Sequence, residues 1–244
     1  LPICGVQEMF APGTPPIAGM VKDFALLDLP FLVDTPEQAD ALLDGPFGQA
    51  LLAKLPEKGL VGLAFWENGF RHVTNSKRPI KRLEDLEGLK IRVQQNPVFI
   101  ETFKALKTNP VPMSFAELYG ALESKALDAQ ENPYLITRSA KLNETQKYLS
   151  STSHAYGVIA VLVSKKFWDK LSSDEQKILQ TAAIEARDYE RQVSRAQAKR
   201  AVDELTAGGM QFTPVPASEL ARMRQATQGV VDRVLQTYDP AMVK

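Results

Sequence analysis

Along this chain the apolar residues fall into two rhythms. Compact or alternating runs suit strands, and three-to-four-residue spacings suit helices. Residues 26–32, an apolar run broken by Pro30, read as a short strand or buried loop. Thr35, Pro36 and Gln38 mark a helix start, with Thr35 as N-cap and Pro36 at the first helical position. This helix is expected to stop before Gly45-Pro46, with a second short one over 47–55. Residues 60–66 suit a buried strand, Glu67-Asn68-Gly69 punctuates it, and 70–74 read as the next strand.

Residues 88–93 alternate, with Lys90 and Arg92 on one face and Ile91 and Val93 on the other. Helical spacing follows over 97–106. Ser114 and Glu117 form a capping box that opens a helix to about residue 124. Residues 127–132 suit a strand ended by Pro133, which pushes Asn132 out of the α region. A strongly β-type run covers 156–163, and Ser172 with Glu175 makes a second capping box. The helical pattern behind it meets no Gly or Pro before Gly208-Gly209. Roughly 33 residues at about 1.5 Å rise give a rod on the order of 50 Å long, enough to brace two lobes. A short strand over 213–215 and a helix over 218–238 close the chain. Strands and helices alternate throughout, which predicts an α/β fold.

Composition narrows the function. The 244 residues include 29 basic and 29 acidic side chains, a formal charge of zero. Bulk nucleic-acid or polybasic membrane binding needs a charge excess, so both are disfavoured. A small anionic ligand needs only one or two well-placed cations. No apolar stretch approaches the roughly 18 residues of a membrane span. No basic segment followed by an apolar run opens the sequence, which suits a cytosolic protein or an exported one whose leader has been removed. The single Cys4 excludes an internal disulfide and any multi-cysteine metal site. Ile3 is bulky where a lipidation box wants a small residue, so Cys4 reads as an ordinary thiol.

Catalytic chemistry is thinly represented. His72 and His154 are the only histidines, without zinc-ligand spacing, and no nucleophile elbow, phosphate loop or dinucleotide fingerprint appears. Asp128 and Glu131 are either an acid–base pair or, as is commoner, solvated or capping carboxylates. The cations are more informative. Arg92 sits near the carboxyl end of a predicted strand, where open α/β sheets place ligands. Arg71 sits on another strand. Each is either a surface charge or a buried guanidinium, and a buried guanidinium makes a two-pronged fork for one carboxylate that Lys cannot copy. Asn132, held extended before Pro133, offers an amide donor. Phe115 is either core or pocket wall, at a helix N-terminus that favours negative charge.

Several segments resemble, in order and spacing, the solute-binding subunits of TRAP (tripartite ATP-independent periplasmic) transporters, a family typified by dicarboxylate binders. They are Leu27-Asp28-Leu29-Pro30-Phe31, Trp66-Glu67-Asn68-Gly69-Phe70-Arg71-His72, Gly88-Leu89-Lys90-Ile91-Arg92-Val93, Pro112-Met113-Ser114-Phe115 and Asp128-Ala129-Gln130-Glu131-Asn132-Pro133. Gln146-Lys147-Tyr148-Leu149 follows, with His154 close behind.

The resemblance implies a two-lobed, class II periplasmic-binding-protein-like fold with mixed sheets and a lobe-spanning helix. Lobe I is expected over 1–67 and 158–197, and lobe II over 68–157 and 198–244. Arg92 would grip a ligand carboxylate in a closing cleft, with Arg71 supporting it and Asn132 and Phe115 at the ligand. Trp66, Glu131, His154 and Tyr156 lie in segments that border the pocket, where packing or indirect support competes with ligand contact. The implied function is capture of a small organic acid by lobe closure and delivery to the small and large integral membrane permease subunits. The implied location is the periplasm, with no cofactor and no metal. A ligand-sensing receptor for a signalling partner and an enzyme acting on a carboxylate are the alternatives. Family members usually carry a further strand, helix and strand ahead of the position of Gly5. Lobe I is therefore expected to be shortened at its N-terminus, with an exposed sheet edge.

Overall fold

A computed structural model describes residues 7–238; Cys4 lies outside them. In chain order the elements are β1 (Met9–Phe10), α1 (Pro36–Asp44), α2 (Pro46–Leu52), β2 (Leu60–Asn75) and β3 (Lys90–Val93), then α3 (Pro97–Ala105), β4 (Asn109–Pro112), α4 (Phe115–Glu123), β5 (Ala129–Asn132) and α5 (Tyr134–Ser139). The chain closes with β6 (Tyr148–Ser164), α6 (Lys165–Trp168), α7 (Ser173–Ala207), β7 (Gln211–Thr213) and α8 (Ala217–Leu235). The strands form a mixed sheet of order β1-β6-β2-β5-β3-β4, with β7 pairing β6. The fold is α/β, as the alternation of elements predicts.

The chain divides into two compact units. Unit 1 takes the residues up to Leu27, Val33–Gly69 and Gly157–Arg195; unit 2 takes Asp28–Leu32, Phe70–Tyr156 and the residues from Ala196. Three long elements, β2, β6 and α7, pass from one unit into the other.

In unit 1, Leu63, Ala64, Val161, Val163 and Ala183 form a buried cluster, with Trp66 and Trp168 packed against it. The helix α1 starts where its capping residues predict, with the Thr35 hydroxyl accepting from Gln38 N–H at 3.2 Å. The helix α7 carries the second capping box intact. Ser172 N–H donates to Glu175 at 2.8 Å and Glu175 N–H donates to the Ser172 hydroxyl at 3.3 Å. Its 35 residues exceed the expected span slightly.

In unit 2 the core gathers Val73, Ile91, Val93, Phe99, Phe103 and Met223 on one sheet face. The strand β3 pairs in parallel with β4 and with β5, while β5 runs antiparallel to the end of β2. Three parallel carboxyl ends thus lie side by side.

Three local expectations are corrected. Glu67-Asn68-Gly69 does not end a strand; Gly69 takes φ +95° and β2 continues through it. Neighbouring β6 carries Gly157 against Asn68, where an added Cβ would sit 3.1 Å from the Asn68 Cβ. Residues 26–32 are not a strand: a 3-10 helix, Lys22–Asp28, leads into a buried turn at 30–31, so the buried-loop alternative stands in part. Ser114 caps no backbone N–H; its hydroxyl bonds the Glu117 carboxylate instead. The strand β4, which the sequence pattern does not predict, tolerates Pro110 and Pro112 because it is the last strand of the sheet.

Candidate functional site

The site is built at the carboxyl ends of β3, β4 and β5 in unit 2. Register places Arg92 beside Gln130, and Gln130 beside Thr74, so these side chains share a sheet face with Asn132 and His72. Ile91 and Ala129 point the other way, into the core. The one-residue alternation that buries Ile91 and Val93 therefore delivers Arg92 to the opposite face.

Arg92 is 4% exposed. Its Nε donates to the Met113 carbonyl at 2.9 Å, which orients the guanidinium. Its two terminal nitrogens have no hydrogen-bond partner among the described residues. Phe115 stands next to it, ring centroid 6.0 Å from the guanidinium carbon, and is 49% exposed. Phe115 is thus not core. Burial pushes the Arg92 pKa down to about 10, with Glu131 raising it and Arg71 lowering it further. A cation in that state gains most from a new anion, because the solvation it has lost is replaced by a charge-assisted pair.

Arg71, 2% exposed, is tied differently. Its Nε donates to Glu131 Oε2 at 2.5 Å, and its Nη2 donates to Glu131 Oε1 at 2.9 Å. The same Nη2 reaches the Glu131 carbonyl at 2.7 Å and Asn132 Oδ1 at 3.1 Å. The Arg71 guanidinium carbon also lies 5.5 Å from the Phe99 ring centroid. Among the described residues Nη1 alone of its nitrogens has no hydrogen-bond partner.

Glu131 Oε2 also meets His154 Nε2 at 3.1 Å. The Thr152 hydroxyl accepts from Val73 N–H at 3.2 Å and lies 2.8 Å from His154 Nδ1. An ionised carboxylate only accepts, so the His154 Nε2 facing Glu131 carries a proton. Burial would raise the Glu131 pKa, but the Arg71 charge and the His154 and Arg71 hydrogen bonds outweigh it and hold it at about 2.

The remaining sequence candidates divide. Tyr156 is buried in unit 2 with its ring edge-on to Phe70 at 5.0 Å. Trp66 belongs to unit 1, where its indole donates to the Ala183 carbonyl at 3.3 Å.

Two contributors were missed in the sequence. Asp28 reaches unit 2 through residues 28–32, which are tied down by Phe31 N–H on the His154 carbonyl (2.9 Å) and Arg224 on the Phe31 carbonyl (2.8 Å). Asn96 donates to Asp28 at 2.8 Å. Burial pushes the Asp28 carboxyl well above its usual range; Arg71 opposes this and Glu131 adds to it. An acid inside an apolar run was the available signal. Tyr134, at the start of α5, stacks on His72 with centroids 3.9 Å apart. Burial raises the Tyr134 hydroxyl, and burial, then His154 and Arg71, hold His72 well below its usual value.

A buried guanidinium whose terminal nitrogens meet no described residue thus stands at parallel strand ends beside an exposed aromatic ring. A family described as bacterial extracellular solute-binding protein, family 7 (DctP), matches residues 4–237. The chain belongs to this family. Among its relatives, the 2,3-diketo-L-gulonate-binding periplasmic protein YiaO of Escherichia coli is 42% identical over 207 residues, 85% of this chain and 63% of YiaO. The C4-dicarboxylate-binding periplasmic protein DctP of Rhodobacter capsulatus is 33% identical over 95% of this chain and 70% of its own length. The solved structure of the sugar acid binding protein DctPAm from Advenella mimigardefordensis, in complex with galactonate, superposes with a TM-score of 0.95 at 39% identity. That match covers 99% of this chain and 78% of DctPAm. The chain spans a little under two thirds of the length of the first curated relatives it matches. Among the described residues no helix is long and apolar enough to cross a membrane.

Proposed function

We propose that this protein captures a small organic acid carrying one carboxylate, together with hydroxyl or oxo groups, and passes it on unchanged. The observation that carries the reading is the open fork of Arg92, beside an Arg71 whose charge Glu131 already meets. One uncompensated guanidinium matches one carboxylate, and a second carboxylate would face Glu131. Galactonate and 2,3-diketogulonate, named for two relatives, are acids of that kind. The C4-dicarboxylate named for a third relative is not, so a monoacid preference is a commitment.

In this reading Arg92 binds the carboxylate, Phe115 covers its flank, and Asn132 with Arg71 Nη1 meets polar oxygens of the ligand. Glu131 and His154 hold Arg71, while Trp66 and Tyr156 pack their surroundings. The protein works in the periplasm, as a two-lobed binder that rearranges on ligand capture and delivers to the membrane permease subunits of a TRAP transporter. No turnover of the acid is involved. A thermal-shift screen against sugar acids, 2-oxo acids and C4-dicarboxylates tests it. A ligand at 100 times its dissociation constant adds about 2.7 kcal/mol of stability. Stabilisation by monoacids is expected; stabilisation confined to dicarboxylates, or by no acid at all, overturns the reading.

A further inference from the structure

Beneath Asn132 runs a chain of buried side chains that neither the ligand grip nor the core packing requires. Arg71 Nη2 donates to Asn132 Oδ1 (3.1 Å), and Asn132 Nδ2 donates to Gln130 Oε1 (2.6 Å). Gln130 Nε2 donates to the Thr74 hydroxyl (2.8 Å), which donates to Gln146 Oε1 (3.1 Å). Gln146 Nε2 ends the chain on the Thr145 carbonyl (3.1 Å). Gln130 and Thr74 are 0% exposed and Gln146 is 2% exposed, so water offers these groups no alternative partner. All six residues lie in unit 2.

Every link points the same way. Arg71 has only donors and the Thr145 carbonyl only accepts, so both ends of the chain are fixed in sense. Each amide between them must present oxygen toward Arg71 and nitrogen toward Thr145. Reversing one amide would set oxygen against oxygen on one side and N–H against N–H on the other, inside a medium where an unmet polar group is costly. The Thr74 hydroxyl is the one member that both accepts and donates through a single atom, and it joins the two halves.

We propose that Thr74 and Gln130 are positioning residues of the acid site, which fix the Asn132 amide so that its second N–H, and not its oxygen, is left for a ligand oxygen. This rests on the reading of the site as an acid receptor for its consequence, but the positioning itself is observable without any ligand. A site with Asn132 so fixed favours an acceptor, such as an oxo or hydroxyl oxygen, next to the carboxylate.

The test compares Thr74→Val, which keeps the shape and removes the hydroxyl, with Thr74→Ser, which keeps the hydroxyl. In the ligand-free protein, the Asn132 side-chain amide and the Arg71 Nε–H signals are followed by 1H–15N NMR. Thr74→Val is expected to shift or broaden both, although Asn132 is two links from the substitution, and Thr74→Ser is expected to restore them. Asn132 and Arg71 signals unmoved in Thr74→Val, with only Gln130 and Gln146 disturbed, would overturn the proposal. In a second arm, calorimetry with D-galactonate is expected to show about tenfold weaker binding in Thr74→Val and recovery in Thr74→Ser. Equal galactonate affinity in wild type and Thr74→Val also overturns it. Should the wild type bind no organic acid, the acid-receptor reading fails and the NMR arm alone decides the positioning.

Discussion

Unit 1 and unit 2 both sink arginines into their folds, and unit 2 treats one of them differently from the rest. In unit 1, α7 presents Arg187, Arg191 and Arg195 to α1 and β2. Arg191 forks onto Asp44 at 2.7 and 3.0 Å and caps the Phe65 carbonyl at 3.0 Å. Arg195 bridges Glu67 and Asp40, each at 2.7 Å. Every one of these guanidiniums meets a carboxylate, and they act as struts between elements. In unit 2 Arg71 follows the same rule through Glu131, but Arg92 does not. Its orientation is fixed by one carbonyl while its fork stays open. The saturated arginines join elements of the fold, whereas the terminal nitrogens of Arg92 meet no hydrogen-bond partner among the described residues.

The comparison is broken most severely at Glu131. Replacing it by Gln leaves Arg71 buried without a counter-charge, and urea unfolding at pH 7 should show a loss of about 3–5 kcal/mol. The Glu131 pKa lies at about 2 in the fold against an ordinary 4.5, so its contribution is complete above 4.5 and fades as the pH falls toward 2. The gap between wild type and Glu131→Gln should narrow over that window; a gap constant with pH would show that the ion pair is not its source.

Arg92→Lys should do the reverse. Acid affinity by calorimetry should fall by about 1.5–3 kcal/mol, because the fork is lost while the charge stays, and the melting temperature should hold. Arg191→Lys sharpens the contrast from unit 1. It should cost about 1 kcal/mol of stability, the partly exposed Asp44 limiting the effect, and leave acid affinity untouched. An Arg191→Lys variant that binds acid more weakly would erase the distinction between strut and receptor.

The smallest effect concerns Asp28. Its pKa is raised in the fold, so the wild type loses stability as the pH climbs from the ordinary 3.8 through the raised value. Asp28→Asn should therefore melt higher than wild type at pH 7, with the advantage vanishing toward pH 3.8. A variant that melts lower at pH 7 would mean that the charged carboxylate is used.

Much of this was legible in the residues. Period-two spacing put Arg92 opposite Ile91 and Val93, and Pro133 held Asn132 extended, because both signals act within a few residues. The pairing of Arg71 with Glu131 was not legible, since the two are 60 positions apart and meet only through the antiparallel register of β2 and β5. Asp28 looked like part of an apolar run, and only the fold turns it toward Arg71 and Glu131. The chain of amides under Asn132 was invisible for the same reason, as its links join three separate strands and loops.

The central claim is tested most directly by a crystal structure of the protein with a stabilising sugar acid. Both carboxylate oxygens should lie about 2.7–2.9 Å from the terminal nitrogens of Arg92, with Arg71 still paired to Glu131. A carboxylate bound elsewhere, with the Arg92 fork still empty, would contradict it.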